Sequence, residues 1–216
     1  MHSSNGSLGW RLTSFTYGHF SAAATPDVDD TLLCCVESSL PGATVADCGC
    51  GPGHMAKLFL ERGAERVYAI DLLDEMLDQV PSDKRIIKVR ADLRQGVPKG
   101  VECALDVVLF KRFLYFPPSL SEKVLRQWYD TLSPSGHFLL VHPEKEFFSY
   151  VFGNSHPFLN LAKRVLPLFL DAVGAYEYQL YTSRELHELC SRAVPEGVVR
   201  ALSSRQRSYN LVDIVK

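Results

Sequence analysis

No run of 18 apolar residues occurs in this 216-residue sequence, so nothing in it reads as a membrane-spanning helix. Basic runs are missing too. With 23 Lys and Arg against 25 Asp and Glu the net charge is −2, which argues against tight nucleic-acid binding, because neutralising phosphates takes clustered cations. Arg200, Arg205 and Arg207 form a mild basic group and read as a solvated face. The first residues lack a charged segment followed by an apolar one, so no secretory signal is expected and the cytoplasm is the expected location. Six cysteines (Cys34, Cys35, Cys48, Cys50, Cys103 and Cys190) show no C-x-x-C spacing. Free thiols in a reducing compartment are therefore expected, and no metal site is.

Two further absences concern the glycine-rich stretch Asp47-Cys48-Gly49-Cys50-Gly51-Pro52-Gly53. A dinucleotide fingerprint, G-x-G-x-x-G counted from Gly49, needs its third glycine where His54 stands. A phosphate-cradling loop needs Gly-Lys-Ser/Thr, and the first lysine in the chain is Lys57. Both phosphate readings fail on position.

What is present is an alternation of strand-like and helix-like segments. A hydrophobic content of 46% supports a sizeable core, and 216 residues suit one α/β domain rather than two. Apolar runs at 43–46, 66–70, 85–90, 104–110 and 137–142 read as strands. Asp29 or Asp30 reads as the N-cap of a helix through Glu37. Residues 54–61 read as a helix closed by Gly63 at C′. A further helix, with Asp74 and Glu75 near its start, spans 71–80 and stops at Pro81. Over 121–132, Val124, Leu125, Trp128 and Leu132 share one helical face before a break at Pro134-Ser135-Gly136. Thr182 and Glu185 form a capping box for a helix to Ala193. Apolar runs at 198–202 and 211–215 close the sequence.

The glycine stretch lies between a strand and a helix, so its backbone N–H groups point into space at the positive end of the helix dipole. Alternate glycines let a ligand approach that backbone and accept positive φ without strain. Asp47, at the strand end, suits a cation better than a pyrophosphate. The next strand ends in Asp71, 22 residues beyond Gly49, where nucleoside sites place an acceptor for ribose hydroxyls. The third strand ends in Asp92-Leu93, and Asp106 opens a fourth apolar strand that runs to Phe110.

In this order and spacing the four stretches resemble the motifs of the class I S-adenosylmethionine-dependent methyltransferases, over about residues 36–143. The resemblance implies a three-layer α/β sandwich with a doubly wound, mostly parallel seven-stranded sheet, whose C-terminal strand is antiparallel. The runs at 198–202 and 211–215 suit its final antiparallel pair. The resemblance also implies S-adenosylmethionine as cofactor and S-adenosylhomocysteine as product. Asp47, Gly49, Gly51 and Gly53 would then grip a cationic nucleoside, with Asp71 accepting from the ribose and Leu72 packing beside the adenosine. Asp92 would accept from the adenine amino group, the Leu93 backbone N–H would reach a ring nitrogen, and Phe110, on the strand that leads to the reaction site, would also contact the cofactor.

Two segments lie outside that pattern. Residues 1–28 are dense in aromatics, including Tyr17 beside His19. Residues 144–181 contain Phe147, Phe148, Tyr150, Phe152, Phe158 and Phe169, with Pro157 and Pro167 interrupting any helix. This second segment reads as a helical lid inserted after strand five, as a helix pair packed on the sheet, or as a surface for lipid or a second subunit in a homodimer. Methyl transfer from a sulfonium is an in-line displacement that depends mainly on alignment at about 3–3.5 Å. A hydroxyl acceptor also benefits from a base of pKa near 7, for which His19, His142 and His156 are the candidates. Tyr17, Tyr115 and Tyr150 are candidate walls for the acceptor or the sulfonium. Lys111 and Arg112 either face solvent or bind an anionic group of the acceptor. The expected activity is methylation at O, N or C of a small aromatic or apolar molecule. A non-catalytic partner subunit on the same fold, or a different reaction there, stays open.

Overall fold

The computed structural model describes residues 26–101, 104–111, 118–144, 181–204 and 209–216. One sheet organises them. Its strands are β1 Thr44–Cys48, β2 Arg66–Asp71, β3 Ile86–Arg90, β4 Leu105–Lys111, β5 Leu132–Pro143, β6 Val198–Leu202 and β7 Tyr209–Val215. They lie side by side in the order β3-β2-β1-β4-β5-β7-β6. The first five pair in parallel, and β7 runs antiparallel to both β5 and β6. The seven-stranded, mostly parallel sheet with its reversed C-terminal strand is the one expected.

Helices cover both faces, which is why the central strands are apolar on both sides rather than alternating. On one face lie α1 (Pro26–Val36) and α2 (His54–Glu61), packed through Leu32, Leu33 and Phe59 onto Val45, Val67 and Leu109. On the other lie α4 (Pro118–Asp130) and α5 (Ser183–Ala193), packed through Trp128 and Leu186 onto Ala46, Val108 and Phe138. A single helical turn, α3 (Asp74–Leu77), follows β2. The edge strands β3 and β6 are mostly exposed, each with three of its five residues open to solvent. No helix among the described residues is long and apolar enough to cross a membrane.

Local chemistry explains where the elements stop. Gly63 takes φ 99° after α2, and the N–H groups of Gly63 and Ala64 return to the carbonyls of Leu60 and Phe59, a Schellman closure. The Thr182 hydroxyl accepts from the Glu185 N–H while Glu185 accepts from the Thr182 N–H, so the capping box is complete at the start of α5.

Three expectations need correcting. Neither Asp29 nor Asp30 is an N-cap: both lie inside α1, and Asp29 is buried there. The helix expected over 71–80 is only one turn. Gln79 and Val80 donate to carbonyls three residues back, and the α conformation is disfavoured before Pro81. The break at Pro134-Ser135-Gly136 lies inside β5 as a bulge, where Leu105 to Val107 on β4 face Leu132 to His137 on β5. Leu132 therefore opens a strand instead of completing the face of α4.

The chain leaves β1 toward β2 on one flank and later returns to β4 on the other. This reversal opens a crevice at the C-terminal ends of β1 and β4. Gly53 closes one side of it. Its φ is 80°, and a Cβ there would sit 3.0 Å from Val80 Cγ1 and 3.2 Å from Pro81 Cδ. Gly53→Ala should therefore lower the unfolding free energy by about 2–3 kcal/mol, read from urea denaturation; an unchanged midpoint would contradict this packing.

Candidate functional site

The turn after β1 is built from three left-handed glycines, with φ of 73° at Gly49, 53° at Gly51 and 80° at Gly53. The N–H groups of Gly49 and Cys50 both donate to the Ile70 carbonyl, at 2.8 and 3.0 Å, which ties the turn to β2. No atom lies within 4 Å of where a Gly51 Cβ would stand, so the turn faces open space there. The Gly51 N–H donates to Asp71 Oδ2 at 2.9 Å, and Asp71 Oδ1 accepts from the Leu73 N–H at 3.0 Å. The Asp71 carboxylate is thus held at the end of β2 by backbone donors from Gly51, Leu72 and Leu73. Burial raises its pKa, and those backbone donors oppose the rise.

Asp47 sits deeper. It is 2% exposed, and its Oδ2 accepts from the Ala56 N–H in the first turn of α2 at 3.1 Å. Gly53 occupies the N-cap of that helix and has no side chain to offer, so the carboxylate from the preceding strand does the capping. Burial pushes the Asp47 carboxyl up to about 7; Lys111 and the Ala56 N–H oppose the rise, while Asp71 and Asp29 add to it.

A charged network lies alongside. Lys111, at the end of β4, pairs with Asp29 Oδ1, and His54 Nε2 lies 3.1 Å from Asp29 Oδ2. The side chains of Asp29 and Lys111 are 4% and 12% exposed, so Lys111 does not face solvent; its ammonium is engaged with α1. Asp29 and His54 carry no sequence signal for this role, being separated from each other by 25 residues and, for Asp29, from Lys111 by 82. Asp29, Asp47 and Asp71 thus line the crevice against the single ammonium of Lys111, a setting that fits a cationic ligand.

The remaining expected residues fall in different places. Leu72 is 40% exposed beside Asp71. Asp92 caps a 3-10 turn by accepting from the Arg94 N–H, and its carboxylate is also held by the Arg94 guanidinium, which keeps its pKa below the usual range. Leu93 is buried. The Phe110 ring is in the core, 4.8 Å from Phe138 and 5.9 Å from Trp128, because the alternation of β4 turns that position toward α4. Only its backbone faces the strand end.

His142 is 1% exposed near the end of β5, its ring 5.2 Å from that of Tyr181. Just beyond it, Glu144 and Tyr181 form a parallel bridge, and Asn210 donates to the Tyr181 carbonyl at 2.8 Å. The Tyr181 hydroxyl lies 3.4 Å from Ser121 Oγ. The segment expected to form a lid therefore leaves and rejoins the sheet at one anchored point. Tyr17, His19, Arg112, Tyr115, Tyr150 and His156, and the lid itself, lie outside the described residues.

Comparison with known proteins agrees with this geometry. Residues 45–136 match the family model described as a methyltransferase domain. Trans-aconitate 2-methyltransferase of Mycobacterium tuberculosis is 32% identical over 100 residues, covering 46% of this chain and 36% of that protein. The chain thus matches little more than a third of that relative's length. Among solved structures, an S-adenosylmethionine-dependent methyltransferase from Mesorhizobium loti has a TM-score of 0.63 at 16% identity, covering 86% of this chain and 98% of that one. A 1,6-didemethyltoxoflavin-N1-methyltransferase from Burkholderia thailandensis, solved with its namesake compound and S-adenosylhomocysteine, has a TM-score of 0.64 at 18% identity, covering 100% and 92%. Residues 45–136 thus resemble a methyltransferase domain, and the chain shares its fold with S-adenosylmethionine-dependent methyltransferases of known structure.

Two measurements test the electrostatics. Lys111→Met should cost about 3–5 kcal/mol of stability by leaving Asp29 buried without its cation, and adding Asn at position 29 (Asp29→Asn) should restore part of it in a double-mutant denaturation cycle. The second concerns pH. Between the ordinary value of 3.8 and about 7 the folded chain keeps a proton on Asp47 that the unfolded chain releases. The group's contribution to stability therefore falls as pH rises through that window and is flat above it. Melts of wild type and Asp47→Asn should diverge with that sign between about pH 4 and 7, and run parallel above.

Proposed function

We propose that this chain binds S-adenosylmethionine in the crevice at the ends of β1, β2 and β4, and transfers its methyl group to O, N or C of a small aromatic or apolar molecule. The observation that carries this reading is the acid-lined glycine turn. Asp29, Asp47 and Asp71 outnumber Lys111 around backbone that only glycine can shape, which favours a nucleoside bearing ammonium and sulfonium over a pyrophosphate. When bound, the cofactor supplies a methyl group on positively charged sulfur.

The chain's own residues then bind and orient. Gly49, Gly51 and Gly53 give the amino-acid end close access to the backbone. Asp71, held by the backbone of Gly51, Leu72 and Leu73, accepts from the ribose hydroxyls. Leu72 offers its exposed side chain to the adenosine. Asp92 accepts from the adenine amino group beside the Leu93 N–H, sharing its carboxylate with Arg94. His142 stands on β5 beside the root of the 145–180 segment, and we assign it proton acceptance from a hydroxyl acceptor. The names of the Mycobacterium and Burkholderia relatives, which specify trans-aconitate and 1,6-didemethyltoxoflavin, support a small-molecule acceptor. We take residues 1–216 as one domain with 144–181 as its lid. Free Cys34, Cys35, Cys48, Cys50 and Cys190 support a reducing, cytoplasmic setting.

Calorimetry tests the cofactor assignment. Both S-adenosylmethionine and S-adenosylhomocysteine should bind the wild type, and Asp71→Ala should bind each about 10–100-fold more weakly, since hydrogen bonds to a charged group are lost. No heat from either ligand with the wild-type chain would overturn it.

A further inference from the structure

Away from the crevice, three side chains from distant parts of the sequence converge. Cys35 lies near the end of α1, His137 on β5 and Asp213 on β7. Their ligand atoms all fall within 4.8 Å of one another. Asp213 Oδ1 and Oδ2 lie 3.0 and 3.2 Å from His137 Nδ1, and Oδ2 accepts from Cys35 Sγ at 3.5 Å. The carboxylate is 1% exposed. Among the described residues its hydrogen-bonding partners are that thiol and that imidazole, both groups that ligate metals. Arg200 is the register partner of Asp213 on β6, yet it makes no ion pair with it among the described residues.

We propose that Cys35, His137 and Asp213 bind a transition-metal ion of the zinc class, which pins α1 to the C-terminal strands. One thiolate, one imidazole and one carboxylate are the donor types that zinc takes, at bond lengths of about 2.0–2.3 Å. Those lengths place tetrahedral donors about 3–4 Å apart, so closing the widest pair by about 1 Å completes the set. A charged carboxylate buried this deeply also demands a cation, and a divalent ion supplies one. Cys35 and His137 are each partly exposed, which provides an entry path and room for water as the fourth ligand. A thiol ligates as thiolate, so binding displaces the Cys35 proton. Affinity therefore rises with pH.

The competing reading is a plain hydrogen-bonded cluster, in which His137 alone serves Asp213. Cobalt distinguishes the two. After chelator treatment and dialysis, the full chain titrated with cobalt(II) should take up one ion, show a thiolate-to-cobalt charge-transfer band, and release it to zinc. The band should vanish in Cys35→Ser and persist in Cys34→Ser, whose thiol is exposed and outside the cluster. His137→Gln should bind about 100-fold more weakly or worse. Zinc at roughly a hundredfold excess over its dissociation constant should raise the wild-type melting temperature by about 5–10 °C. No band with the wild type at stoichiometric cobalt, or one retained in a folded Cys35→Ser, would overturn the proposal. The wild-type arm stands even where a variant does not fold.

Discussion

A carboxylate buried beneath the first turn of α2 holds the site together. Gly53 must take a left-handed conformation against Val80 and Pro81, and in doing so it gives up the side chain that would cap the helix. Asp47 reaches across from β1 to supply the missing acceptor. Burying it costs free energy that the Ala56 N–H, the helix dipole and Lys111 only partly offset, which is why the carboxyl holds its proton so far up the pH scale. A cation arriving in the crevice would supply the remaining compensation.

The surroundings extend that coupling outward. Asp71 ties the glycine turn to β2 through Gly51, so the atom expected to meet the ribose also shapes the turn. Asp29 ties α1 to β4 through Lys111 and to α2 through His54. The helix that opens the described chain is therefore part of the electrostatic frame of the crevice. A pairing of Lys111 with acceptor would require breaking its contact with Asp29.

Local chemistry was legible in the sequence wherever neighbours along the chain decide the outcome. The extent of α2, its closure at Gly63, the Thr182–Glu185 box and β6 all follow from residues a few positions apart. Sequence order also ranked the acids at the ends of β1 and β2 correctly in space. What could not be read is contact across the sheet. Asp29 reads as a helix cap until Lys111 is brought beside it, and Phe110 reads as a strand-end residue until Trp128 and Phe138 close over its ring. The turn residues at 134–136 read as a stop, because a bulge within a strand carries the same glycine and proline signature as the end of a helix. Cys35, His137 and Asp213 meet only once α1 has packed on β5 and β7, and no spacing rule covers such a distance.

The bridge between Glu144 and Tyr181 gives the sheet an independence from whatever lies between them. Exit and entry share one doorway, latched by Asn210 on β7, so the intervening stretch can lengthen, shorten or change its chemistry without disturbing a single strand register. A sheet closed by such a socket keeps its strand order while the stretch between Glu144 and Tyr181 is exchanged as one piece.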